Sequence, residues 1–183
     1  MPPAPPAAPD RRIFEQCVLP HVDAAYNLAR WLVRNEADAR DVVQEAYLRA
    51  FKAFDRFRGG DGKPWLLTIV RNVCYSRLRQ VRGAEPANVF DEAVHGAVDD
   101  RAEEAERLRR EVGIELLHQA MAGLPESMRE MIVLHDLEGL SYKDMAAVVG
   151  IPLGTVMSRL ARARLRLQQE LRQRYAEETA HEL

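Results

Sequence analysis

Residues Ser141–Leu171, SYKDMAAVVGIPLGTVMSRLARARLRLQQEL, read as a short helix, a tight turn and a longer helix with arginines along one side. Ser141 suits the N-cap of the first helix, with Asp144 three residues on as an acidic variant of a capping box. Gly150 fits the position just past that helix, and Pro152 both stops it and favours the start of the next. In the second helix Val156, Leu160, Ala163, Leu167 and Leu171 recur at i, i+4, i+7, i+11 and i+15, which defines one inward stripe. Thr155, Ser158, Arg159, Arg162 and Arg166 fall on another face. A helix with a packed back and a Ser/Thr/Arg front can enter a major groove, where arginine pairs with guanine and grips phosphates. The pattern is that of a helix-turn-helix.

Every segment with periodicity has the helical period, so the fold class is all-α. The 183 residues divide into a Pro/Ala-rich tail (1–10), a first helical block (11–82), an acidic linker (83–105), a second helical block (106–175) and a fraying end (176–183). Each block is small for independent folding, so two small domains are expected whose mutual arrangement depends on a partner. No apolar run is long enough to span a bilayer and no signal peptide is visible, which points to the cytoplasm without stable membrane insertion.

The net charge of −2 disguises a strong asymmetry. Between Gly62 and Arg82 every charged residue is basic (Lys63, Arg71, Arg77, Arg79, Arg82). From Thr155 to Arg174 six arginines face Glu170 alone. The acids concentrate between these elements, from Glu85 to Glu106. A polyanion responds to the field within about 8–10 Å, so two basic elements flanking an acidic middle fit a nucleic-acid binder.

In the first block a helix is expected over 13–34, with Phe14, Val18, Val22 and Tyr26 a turn apart, then a break where Asp38 can cap the next helix. That helix, about 39–55, has a core stripe of Val43, Ala46, Tyr47, Ala50 and Phe54. Asp41, Gln44, Glu45, Leu48 and Lys52 share a mostly polar face. The loop Phe57–Gly62 holds three glycines, which permit unusual backbone angles. A third helix, about Pro64–Arg82, packs Trp65, Ile69 and Val73 inward and sets Arg71, Tyr75, Arg79 and Arg82 along another face. Arginines there can track phosphates, Tyr75 can stack on an unpaired base, and Asn72 can bond a base edge.

In the second block Leu124-Pro125-Glu126 opens a helix carrying Met128, Met131, Ile132 and His135, and Gly139 stops it. Neither His118 nor His135 has partners at metal-ligand spacing, so no metal site is expected. Cys17 and Cys74 lie in apolar helical patterns as free thiols, with a redox switch the less favoured reading. No phosphate loop, HExxH, GxSxG or paired nucleophile occurs, so no catalytic residues and no cofactor are expected, and the chain reads as a non-enzyme.

DARDVVQEAYLRAF (38–51), PWLLTIVRNVCYSRLR (64–79) and LPESMREMIVLHDLEGLSYKDMAAVVGIPLGTVMSRLARARLRL (124–167), in this order, resemble regions 2.2, 2.3–2.4 and 4 of the sigma-70 superfamily, specifically its small extracytoplasmic-function (ECF) sigma factors. The resemblance implies a factor that binds core RNA polymerase, recognises two promoter elements and promotes DNA melting. Asp41, Gln44, Glu45 and Leu48 would dock on the β′ clamp helices. Lys63, Arg71, Asn72, Tyr75, Arg79 and Arg82, with the loop 57–63, would capture the single-stranded −10 element. Thr155, Ser158, Arg159, Arg162 and Arg166 would read the duplex −35 element, and the outer surface of the second block would sit on the β-flap. An anti-sigma factor is implied as a further partner. Two other readings fit parts of the pattern: a sigma-mimic adaptor that sequesters an anti-sigma factor, and a plain helix-turn-helix regulator. Neither explains both basic helices together.

Overall fold

The computed structural model describes residues 11–82 and 113–181, and among these every regular element is helical. The first block contains α1 (Arg11–Cys17), a 3₁₀ turn (Leu19–His21), α2 (Val22–Val33), α3 (Glu36–Lys52) and α4 (Gly62–Arg82). The second contains α5 (113–123), α6 (Glu126–Ile132) running into a π-helical turn (Val133–Leu137), α7 (Tyr142–Val149) and α8 (Leu153–His181). The expected tail over 1–10, the linker over 83–105 and the first residues of the second block lie outside the described residues. Helix α8 continues past the expected boundary at 175.

Three expectations for the first block need correction. The helix expected over 13–34 is broken, because Pro20 cannot donate a backbone hydrogen bond and the chain turns through Leu19–His21. Val22 is consequently exposed, while Ala25, Leu28, Ala29 and Leu32 form the buried stripe of α2. The cap of α3 is Asn35 and not Asp38: the Asn35 side chain accepts the Asp38 N–H at 2.9 Å. Asp38 is freed to pair with Arg77 of α4.

The buried faces are also rotated from those expected. On α3 they are Ala39, Val42, Ala46 and Ala50, followed by Phe54, whereas Val43 and Tyr47 are half-buried. On α4 they are Leu66, Leu67, Val70, Val73 and Cys74, with Trp65 and Ile69 only half-buried. Helix α4 is covered by α2 and α3 on one side and by α7 on another, so its buried face is wider than a single stripe.

The two blocks are not separate bodies. Buried residues from α1–α4 and from α5–α8 form one continuous hydrophobic cluster, with α7 packed on α4 and α6 on α2. Arg129 locks this arrangement. Its buried guanidinium donates to the carbonyls of Met121, Ala122 and Leu124 at the end of α5, and to the Trp31 carbonyl of α2 at 2.8 Å. One side chain thus satisfies carbonyls left open at helix C-termini in both blocks. Burial lowers its pKa to about 10, so it remains charged at neutral pH.

Candidate polymerase and nucleic-acid interfaces

The helix-turn-helix forms as its sequence dictates. The Ser141 hydroxyl accepts the Asp144 N–H at 3.1 Å and donates to the Asp144 carboxylate at 2.6 Å. Gly150 ends α7 with φ +73°, and the N–H groups of Gly150 and Ile151 both return to the Ala146 carbonyl. Val156, Leu160 and Ala163 bury the back of α8, while Leu167 and Leu171 are half-buried.

On the front of α8, Ser158, Arg162 and Arg166 are exposed and Thr155 and Arg159 half-buried. Arg162 Nε donates to the Ser158 carbonyl at 3.2 Å, and Arg166 pairs with Glu170 at 2.7 Å. Both contacts are intrahelical, and the Arg162 and Arg166 guanidinium groups are exposed although the Glu170 side chain is largely buried, so the arginines can turn to DNA phosphates or bases at little cost. The front is therefore available.

Helix α4 differs. Asn72 and Arg79 are exposed, but Lys63, Arg71 and Tyr75 are turned onto the second block. Lys63 Nζ donates to the Glu138 carboxylate at 3.0 Å and to the Glu138 carbonyl at 2.7 Å. Arg71 Nε donates to Glu130 Oε1 at 2.5 Å, and Tyr75 Oη donates to Glu130 Oε2 at 3.2 Å. The Arg71 guanidinium lies over the Tyr75 ring, 4.6 Å from its centroid. The Glu130 side chain is 1% exposed. Burial pushes its carboxyl up, against the opposing pull of Arg71, Tyr75 and Arg159. Burial beside that carboxylate also pushes the Tyr75 phenol up, so it stays a hydrogen-bond donor. Arg82 ends α4, and its side chain lies outside the described residues.

Sequence reasoning missed Arg129 and Glu130. The signal available was the run around them: with Met128, Met131, Ile132, Val133 and Leu134, this helix is apolar around most of its circumference, so charges within it must be buried and paired.

The loop before α4 is held more firmly than its glycines suggest. Gly59 and Gly60 take φ +83° and +90°, in the left-handed region. Gly62 serves a different need, since a Cβ there would sit 2.0 Å from the Cys17 carbonyl oxygen. Phe54 stacks on Phe57, which in turn packs against Trp65, anchoring both ends of the loop.

On α3, Asp41 and Gln44 are exposed, Glu45 is half-buried and Leu48 is 53% exposed. Asp41 lies 3.5 Å from Arg77 and Glu45 pairs with Arg49 at 2.7 Å, both at the surface. The four residues share one face, an acidic rim around an apolar anchor. Among the described residues no cluster of His, Cys, Asp and Glu is placed to hold a metal ion, and no single helix is long and apolar enough to cross a membrane. Cys74 is buried and its thiol is pushed up to about 12 by burial and Glu130; Cys17 is half-buried.

Comparison with known proteins agrees with this architecture. The model of sigma-70 region 2 matches residues 17–83, and that of sigma-70 region 4 matches 114–167. RNA polymerase sigma-H factor of Pseudomonas aeruginosa is 35% identical over 164 residues, spanning 85% of this chain and 84% of that protein. ECF RNA polymerase sigma-E factor of Escherichia coli K12 is 31% identical over 163 residues, with coverage of 85% and 84%. Among solved structures, sigma factor RpoE of Bartonella quintana, in complex with the anti-sigma factor NepR, is similar with a TM-score of 0.69. It is 31% identical and covers 88% of this chain and 98% of that one. CnrH, in complex with the cytosolic domain of CnrY, gives a TM-score of 0.60 at 28% identity, covering 88% and 89%. The paired region 2 and region 4 domains define a sigma-70-type transcription initiation factor. The chain belongs to the ECF RNA polymerase sigma factors of that family.

Proposed function

We propose that this sigma factor divides its work among three faces. The Asp41, Gln44, Glu45 and Leu48 face of α3 docks on the β′ clamp helices of core polymerase. Lys63, Arg71, Asn72, Tyr75, Arg79 and Arg82 of α4 take the melted −10 strand. Thr155, Ser158, Arg159, Arg162 and Arg166 of α8 position the −35 duplex, with the outer surface of region 4 on the β-flap. Polymerase supplies the chemistry, and this chain supplies address and strand opening without an active site of its own, in the cytoplasm. An anti-sigma factor controls it, a reading supported by the solved relatives in complex with such factors.

The observation that carries this reading is α8. Its back is buried at Val156, Leu160 and Ala163 while Ser158, Arg162 and Arg166 stand exposed beyond a well-capped turn. Run-off transcription with purified core polymerase on a promoter library tests it. Initiation confined to promoters sharing −35 and −10 elements is expected. Duplex binding without polymerase and without initiation would point instead to a plain helix-turn-helix regulator.

A further inference from the structure

The outward face of α8 carries two strips, only one of which is basic. At roughly 100° per residue, Thr155, Arg159, Arg162 and Arg166 lie on one side of Ser158. On its other side Leu153, Met157, Ala161 and Leu165 recur at i, i+4, i+8 and i+12. All four are exposed, Leu153 at 49%, Met157 at 51% and Leu165 at 56%. A contiguous apolar strip rimmed by polar groups marks a surface that meets something.

The surroundings of Met157 point to a base edge. It lies on the second turn of α8, which begins at Leu153, and the first turns of a recognition helix are the part that enters the major groove. Arg162 Nε donates to the carbonyl of the next residue, Ser158, at 3.2 Å, which lays the guanidinium back toward the turn that carries Met157. Arg164 borders the strip on the far side and is neutralised by Asp136, through Nε at 3.0 Å and through Nη2, so the strip stays apolar there. Ala161, one turn further on, is too short to hold a duplex away from Met157.

In the major groove thymine alone presents a methyl group beside its acceptor. Methionine is unbranched and polarisable, so it can lie along a methyl without demanding one direction of approach. Resting on the assignment of α8 to the −35 duplex, we propose that Met157 is a specificity-determining residue that reads thymine. Its thioether end packs on the C5-methyl of a thymine, on either strand, neighbouring the guanine with which Arg162 pairs. The basic strip reads hydrogen-bond acceptors and the apolar strip reads methyl groups. Cytosine at that position is rejected twice, by losing the methyl and by facing its N4 amino donor with a weak sulfur acceptor.

The test uses holoenzyme, the full chain with core polymerase, on a promoter that supports run-off transcription. Each thymine of the −35 element is replaced in turn by deoxyuridine, which lacks only the C5-methyl. One position should lose about fourfold in initiation at limiting holoenzyme, the worth of burying one methyl-sized group. Met157→Ala should lose a similar factor on the parent promoter and be blind to deoxyuridine at that position, whereas Arg162→Ala should keep the sensitivity. A melting curve checks that Met157→Ala, at an exposed position, keeps the fold. No sensitive position, or sensitivity that survives Met157→Ala undiminished, would overturn the assignment. In the first case, a Met157→Ala defect would place the side chain against protein instead of DNA. Indifference to both Arg162→Ala and a scrambled −35 element would overturn the −35 role of α8 itself, and the reading of thymine with it.

Discussion

Helices α4 and α8 look alike in the sequence: each carries a ladder of arginines opposite an apolar stripe. In the structure they are in different states. The front of α8 contacts itself, through Arg162 to the Ser158 carbonyl and Arg166 to Glu170. The front of α4 is occupied from outside its own domain, by Glu130 and Glu138. Periodicity identifies which residues share a face; it does not say what covers that face.

The contrast can be broken most severely at the base of α4. Gly62→Ala would drive a Cβ into the Cys17 carbonyl, a backbone group that cannot swing aside. We expect a loss of about 3 kcal/mol or more in urea unfolding, the upper range for overpacking. A variant as stable as the parent would mean that the α1–α4 junction is loose.

The two arginine ladders should then separate under alanine substitution. Arg71→Ala leaves the Glu130 carboxylate buried without its cation, and we expect about 3 kcal/mol of destabilisation, moderated if region 4 opens to hydrate it. Arg162→Ala removes an exposed side chain and should change stability by no more than about 0.5 kcal/mol. It should instead weaken −35 discrimination by about 1–3 kcal/mol, read from transcription on −35 variants. Equal stability losses at both positions would erase the contrast.

A smaller effect concerns α3. Reversing charge at Asp41 and Glu45 together should weaken binding to core polymerase while leaving the melting temperature within a few degrees, because both groups pair only at the surface. Retained affinity for core would remove these residues from the docking face.

The smallest effect is chemical. Cys74, with its thiol pushed up to about 12 and its side chain buried, should react with a thiol reagent at pH 8 only as fast as the protein opens. Half-buried Cys17 should react first. Equal rates would reopen the question of a redox role for Cys74.

The helix-turn-helix was fully legible because its determinants are local. Ser141 with Asp144, Gly150 and Pro152 each act within a few residues, and all sit as their chemistry requires. The ends of α2 and α3 were less so, since Asn35 and Asp38 are both competent caps and the choice depends on Asp38 meeting Arg77, 39 residues away. The closure of one block on the other was not legible. It rests on Arg129, Glu130 and Glu138, whose partners lie tens of residues distant, and on a wide buried face of α4 that a single stripe cannot describe. The three candidate interfaces were legible as sets of residues, but the state in which the structure holds them was not.

The contrast between α4 and α8 turns on one contact, region 4 held against the basic face of α4. It is tested most directly by double electron–electron resonance between spin labels at the exposed positions Lys52 on α3 and Gln168 on α8, placed in a background lacking Cys17. The free protein should show one short distance, and addition of core RNA polymerase should replace it with a longer one. A distribution unchanged by core, in a preparation that initiates transcription, would contradict the account.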